Sequence, residues 1–362
     1  THCISSAASD VYKRQAFLYA VPPAGRAPVT GMHRLPLRRT FAAMTVLLAL
    51  LLAAAVAHLG FGARTVSPGV VIQALLDFNP RNFDHKVIVE LRLLRLTAAL
   101  LTGAALGVAG LLLQAAIRNP LGEPHILGLN AGAALAVVAT TALGLTSVGR
   151  PLVAAGGAAL LFSLVLSLAG AGRAGLTPLK VTLCGVALSA FAASITSAIL
   201  ILDEQTLLSM RTWLAGDLAG LNWPMLRSAS FAACGGLLLA VCVAPSLNLL
   251  ALGDRVACGL GVNLPRTRLL SLLAVALLCG AAVSIAGPIG FIGLLVPHLV
   301  RRLVTDDLRL ALPLSACGGA VLLLLADLAA RTLLAPQELA TGVMTALVGA
   351  PVFIVIAARF FK

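Results

Sequence analysis

The chain has 362 residues, 60% of them hydrophobic and only 11% charged, with a mean hydropathy of +1.02. Soluble domains carry about 25% charged residues, so this composition excludes a soluble globular protein and points to an all-α polytopic membrane protein. The net charge of +13 comes from scattered Lys and Arg with no basic run interleaved with aromatics. That pattern excludes nucleic-acid binding and fits cationic loops that orient membrane spans.

In chain order, the stretch Ala8–Gln15 resembles translated sequencing-adapter read-through, and residues before about Met32 are set aside. Met32 is a candidate natural start, with Arg34, Arg38 and Arg39 preceding the first apolar span. Residues 1–40 are thus read as a non-native leader and cytoplasmic N-terminal segment, and 41–362 as one transmembrane domain. A helix crossing the hydrocarbon core needs about 20 apolar residues. Windows of that kind fall near 41–62, 94–117, 126–146, 151–171, 180–202, 225–245, 267–287, 288–304, 309–331 and 341–358. The sequence therefore predicts about ten transmembrane helices, the eighth short and broken by proline. Residues 65–78 follow a Ser-Pro turn and predict a short surface helix. Gly103, Gly107 and Gly110 form a small-residue face suited to close helix packing.

Between the second and third windows, Asn119–Ala133 is a polar stretch punctuated by Pro and Gly. Non-helical backbone is costly beside lipid, so this break should be buried in protein or lie at a membrane face. With the N-terminus inside, Arg118, Arg173, Lys180, Arg255, Arg266, Arg268, Arg301, Arg302, Arg309, Arg359 and Lys362 fall in the cytoplasm. The outside receives Arg64, Arg81, Lys86, Arg92, Arg95, Arg150, Arg211, Arg227 and Arg331. The bias has the right sign but is weak, and the excess of outer arginines invites a second explanation. An even number of spans leaves both termini inside.

No GxxxxGK[ST] occurs, so the chain has no P-loop of its own for ATP hydrolysis. HExxH motifs, paired intramembrane carboxylates and haem-ligand spacings are also missing, which leaves no catalytic, cofactor or metal site to assign. The seven cysteines read as small hydrophobes, without CxxC spacing. Asp327 is the clear intramembrane carboxylate, and Arg331 follows one helical turn later. The pair is read as mutual neutralisation, with a proton relay as the alternative. His125 and His298 lie beside prolines and read as structural hydrogen-bonding groups.

The segment 248–262 repeats apolar residues at helical spacing, Leu249, Leu252, Val256 and Leu260, with Asp254 and Arg255 facing elsewhere and Gly253 and Gly261 as breaks. It predicts a short amphipathic element, either a contact for a cytoplasmic partner or a helix lying in the headgroup region.

Several motifs are specific together. They are Leu91-Arg-Leu-Leu-Arg95, Gln114 with Arg118-Asn-Pro-Leu-Gly-Glu-Pro124, Leu127-Gly-Leu-Asn-Ala-Gly132, Trp213-Leu-Ala-Gly216 and Leu252-Gly-Asp254. Gly287-Pro-Ile-Gly-Phe-Ile-Gly293 with Pro297, His298 and Arg301, then Asp327, Arg331 and Gly349-Ala-Pro351, complete the set. In this order the chain resembles the permeases of the iron-siderophore, haem and cobalamin ABC-importer family, with the type II importer fold, from about residue 41 to the C-terminus. The resemblance implies ten transmembrane helices per subunit and a homo- or heterodimer around a central path, with walls from the fifth and tenth spans. It also implies separate P-loop ATPase subunits on the cytoplasmic face and a substrate-binding protein on the outer face, in a bacterial plasma (inner) membrane.

By the same resemblance, Leu249, Leu252, Gly253, Asp254, Arg255, Val256, Leu260 and Gly261 couple to the ATPase. The loop residues Arg118, Asn119, Pro120, Glu123 and Pro124 share that cytoplasmic face. Arg92, Arg95 and Arg331 are expected to dock the binding protein, against the alternatives of interfacial anchoring and, for Arg331, pairing with Asp327. Two departures fall at the outer face: Leu94 stands where the family usually has Pro, and Ala340 replaces another Pro. The implied cargo is a metal chelate, an iron-siderophore complex first, with haem and cobalamin open. An ion-coupled secondary transporter is the alternative.

Overall fold

The computed structural model of the protein describes residues 37–62, 65–120, 122–145, 149–171, 177–335 and 337–360. Most of the 1–40 leader, with Met32 and Arg34, lies outside the described residues, as do Arg64, Arg173 and Lys362. The chain divides into Thr1–Arg38 and Arg39–Lys362, and nearly all described residues belong to the second unit.

The regular elements among the described residues are helices: α1 (Leu37–Gly60), α2 (Pro68–Leu76), α3 (Phe83–Ile117), α4 (Leu129–Ala142), α5 (Arg150–Gly170), α6 (Pro178–Leu202) and α7 (Glu204–Leu214). They continue as α8 (Trp223–Ala251), α9 (Asp254–Gly259), α10 (Leu264–Ala286), α11 (Ile292–Leu303), α12 (Leu308–Thr332) and α13 (Thr341–Phe360). Local sequence explains many of the starts. Asn222, Asn263 and Asp307 each accept a backbone N–H of the first turn of α8, α10 and α12, the usual work of an N-cap.

Among the described residues, seven helices are long and apolar enough to cross a membrane: those within α1, α3, α5, α6, α8, α10 and α12. The other three sequence windows give helices outside this set. Window 126–146 contains Gly128 at positive φ and begins as a 3-10 turn over Pro124–Leu127, which leaves 14 residues for α4. Window 288–304 opens with the non-helical Gly287–Phe291 segment and leaves 12 residues for α11. The third, 341–358, falls within the 20 residues of α13. The surface helix expected over 65–78 is α2, started by Pro68 at its first position.

The centre of the bundle is α3. It packs against α12, α10, α11 and α8, and most of its length is buried. The small-residue face makes this possible. A Cβ on Gly103 would run into the carbonyl oxygen of Gly319, one on Gly107 into that of Ser315, and one on Gly110 into that of Gly293. Without a hydrophobic drive between helices in lipid, such backbone approach supplies the packing energy. With Leu rather than Pro at 94, the helix continues back to Phe83 through a π-helical stretch over Val87–Arg92.

Candidate functional site

The ends of α3 carry two clusters of polar side chains. At the first, Asp327 of α12 is fully buried, accepts from three other elements and forms an ion pair within its own helix. His58 Nε2 lies 2.8 Å from its Oδ2, Arg95 Nη2 2.9 Å from its Oδ1, Thr341 Oγ1 2.8 Å from Oδ1, and Arg331 Nε 3.2 Å from Oδ2. A carboxylate only accepts, so His58 presents its Nε2 proton here. The hub ties α1, α3 and α13 to α12.

Arg95 also bonds Glu338 at 2.8 Å and lies 3.6 Å from Asp217. Burial raises the Asp217 carboxyl above its ordinary value, against the pull of Arg95. Asp217 is fixed through its backbone as well, donating to the Ala286 carbonyl at 2.8 Å where α10 ends.

The remaining two arginines close the end of α1. Arg92 Nη1 donates to the carbonyls of Leu59 at 2.6 Å and Gly60 at 2.9 Å, and Arg331 Nη2 donates to that of His58 at 3.4 Å. The last carbonyls of a helix lack intrahelical partners, and cations are favourable at that pole. Arg92 and Arg331 are only 6% and 4% exposed. Arg92, Arg95 and Arg331, the residues expected to dock a binding protein, are turned inward onto Asp327, Glu338 and the α1 terminus. They still line a cavity of about 490 Å³ that opens beside Leu91, Leu218 and Glu338.

At the opposite end, Arg118 caps α3 in the left-handed conformation, φ 52°. A non-glycine residue there is strained, and its side chain shows what holds it. Nη2 donates to the Leu250 carbonyl at 2.7 Å, and Nη1 pairs with Asp254 at 3.2 Å. Arg268 takes the other oxygen of Asp254 at 2.9 Å. Asp254 thus pins α9 to the end of α3 and the start of α10. Gly253, at φ 115°, makes the turn that allows it. Leu252, Val256 and Leu260 remain 57%, 48% and 57% exposed, while Leu249 is half-buried and Arg255 and Gly261 are exposed.

The Asn119–Ala133 break folds back into the protein. Glu123 Oε1 accepts the Phe291 N–H at 2.7 Å at the start of α11, where a carboxylate complements the helix pole. Gln114 Nε2 reaches the Gly293 and Leu294 carbonyls at 3.2 and 3.3 Å, and Asn130 Nδ2 donates to His125 Nδ1 at 3.1 Å. Asn119 and Pro120 sit at the exposed turn. The two broken segments of the chain, 118–128 and 287–291, are thus joined through the Glu123–Phe291 bond.

The model of the FecCD transport family matches residues 48–359. The chain belongs to the FecCD transport family. Among curated proteins, this FecCD member is 41% identical to an iron(3+)-hydroxamate import system permease, FhuB of Bacillus subtilis (strain 168), over 89% of this chain and 85% of that one. It is 39% identical to the ferric enterobactin permease FepD of Escherichia coli (strain K12), over 89% and 96%. A solved structure described as a metal-chelate type ABC transporter in an inward-facing conformation matches with a TM-score of 0.77 and 30% identity, covering 88% of this chain and 99% of that one.

Within this FecCD-family chain, sequence reasoning missed His58, Thr341 and Asp217 as members of the first cluster. Two of them carried a signal. His58 is an ionisable residue at the end of an apolar span, and such residues are expensive unless paired. Asp217 follows directly on the Trp213–Gly216 motif.

Proposed function

We propose that this chain is the permease subunit of a bacterial ABC importer and that its cargo is an iron chelate, a siderophore complex before haem or cobalamin. Family membership and the similarity to hydroxamate and enterobactin permeases support the cargo class. The single structural observation that carries the mechanism is the α9 platform. Val256 on the short helix α9 and Leu252 and Leu260 flanking it are exposed, and the helix is clamped at its base by Arg118–Asp254–Arg268. A rigidly held apolar knob suits a groove on a moving partner, because displacement of the knob is passed to α3 and α10 rather than lost in a loop.

On this reading the Arg118 end is cytoplasmic and meets separate P-loop ATPases, with both termini inside the plasma membrane. About ten crossings follow if α4, α11 and α13 complete their passages through their neighbouring broken segments. The Arg95 end faces outward, and a binding protein docks over the 490 Å³ cavity, whose shape the three arginines set from within. A second permease, identical or distinct, packs so that α6 and α13 border the path. The exposed Leu183, Val186 and Phe191 of α6 and Leu347 of α13 support that placement.

The ion-coupled alternative gains little from Asp327, whose carboxylate is engaged by His58, Arg95, Thr341 and Arg331. Reconstitution into proteoliposomes with the cognate ATPase and binding protein tests the proposal. ATP-dependent uptake of a ferric hydroxamate is the expected result; uptake driven by an ion gradient without the ATPase would overturn it.

A further inference from the structure

Between α5, α8 and α10 the surface is cut by an apolar cavity of about 400 Å³. Leu152, Phe162, Leu166, Leu269 and Leu273 wall it, and Gly280 lies in its floor. Gly280 is buried, yet a Cβ built on it meets nothing within 4 Å. This is the reverse of Gly103, Gly107 and Gly110, where the missing Cβ lets backbones touch. Here a small residue leaves a slot open. From Leu152 to Leu166 the slot follows α5 for about 21 Å, longer than one leaflet of a hydrocarbon core about 30 Å thick. Walls without partner atoms forfeit their dispersion contacts, so a flexible apolar chain is favoured in it.

The slot has a polar head. Leu152 and Ser228 also border a second cavity of about 660 Å³, lined by Arg150, Thr212, Trp213 and Asn222. Arg150 is exposed and has no acceptor among the described residues. It opens α5 behind Gly149, which supplies no side-chain cap, so the helix pole adds to its positive potential. The carboxylate lining this cavity, Asp217, is only 12% exposed and lies 3.6 Å from Arg95. Trp213 lines this head cavity, and Trp is a residue type enriched at the membrane–water interface. We propose that this continuous groove seats one anionic phospholipid of the leaflet at the Arg95 end, an acyl chain in the slot and its phosphate against Arg150. The inference requires only that the chain is embedded in a bilayer, and it goes beyond the transport reading.

The test is native mass spectrometry of the full chain, extracted in mild detergent with its partners from membranes containing phosphatidylglycerol and phosphatidylethanolamine. One phosphatidylglycerol should stay bound in preference to phosphatidylethanolamine. Arg150→Gln, a surface change that breaks no internal bond, should lower that retention about fivefold, the worth of one basic residue near an anionic surface. Gly280→Leu should fill the slot and abolish retention while the melting temperature holds. Equal retention of both lipids, or retention indifferent to Arg150→Gln, would make the groove an ordinary annular surface and overturn the proposal. So would a crosslink from Ser163→Cys to a second copy of the chain, which would assign the groove to a protein interface.

Discussion

His58 and Asp327 lie 269 positions apart in sequence, yet His58 Nε2 sits 2.8 Å from the Asp327 carboxylate with both side chains fully buried. This pair fixes the end of α1 against α12, and Arg95, Arg331 and Thr341 complete the shell around the same acid. Removing Asp327 would leave Arg331 buried without its counter-ion and strip the nearly buried Arg95 of one of its acceptors. Asp327→Ala should therefore cost about 3–5 kcal/mol, the usual penalty for breaking a buried pair from one side, and a thermal melt of the purified permease would read it. A variant as stable as the parent would mean that the hub carries no structural load.

The inward-turned arginines lead to a second expectation. Docking that depends on direct ion pairs weakens with salt. Arg331→Gln should lower the melting temperature but leave the slope of binding-protein affinity against salt unaltered. A flattened slope with unchanged stability would make Arg331 a direct docking contact.

At the other end, Leu252→Asp combined with Val256→Asp changes two exposed residues and should leave the fold intact. ATPase stimulation by loaded binding protein should fall about tenfold or more, as for loss of an interface hot spot. Full stimulation in the double variant would remove the α9 platform from the mechanism.

Asp254→Asn separates positioning from stability. The carboxylate is 42% exposed, so loss of its pairs with Arg118 and Arg268 should cost only about 0–1 kcal/mol. Coupling should nevertheless drop, because the helix is no longer pinned to α3 and α10. Parallel measurement of melting temperature and transport per ATP hydrolysed distinguishes the two effects.

Packing around α3 gives a further expectation. Gly107→Leu forces a side chain into the Ser315 backbone, and overpacking of this kind costs about 1–3 kcal/mol or more. Expression in the membrane and melting of the extracted protein should both fall, whereas Gly280→Leu should be tolerated.

Much of this architecture is legible in the amino-acid sequence because it is local. Long apolar runs give the seven extended helices, Asn and Asp caps mark the starts of α8, α10 and α12, and the Pro and Gly of 119–133 announce a backbone that must be buried. The Gly103–Gly107–Gly110 face is also local, although its partners, Gly319, Ser315 and Gly293, are not. What sequence could not supply is which distant groups satisfy each other. Arg92 reads as an outward charge until the carbonyls of Leu59 and Gly60 are seen beside it. Glu123 reads as a loop acid until it meets the Phe291 N–H. Fewer long helices than apolar windows are found for a related reason. A hydropathy window counts apolar residues, and α4 and α11 reach their apolar total only by including backbone that is not helical.

The most direct measurement is gentle purification of the permease from its native membrane, with and without crosslinking, followed by quantitative mass spectrometry of what accompanies it. An equimolar P-loop ATPase is the expected companion, lost on Leu252→Asp with Val256→Asp. Recovery of the permease with no ATPase under both conditions would contradict the importer mechanism and make Asp327→Asn in an ion-gradient assay the deciding variant.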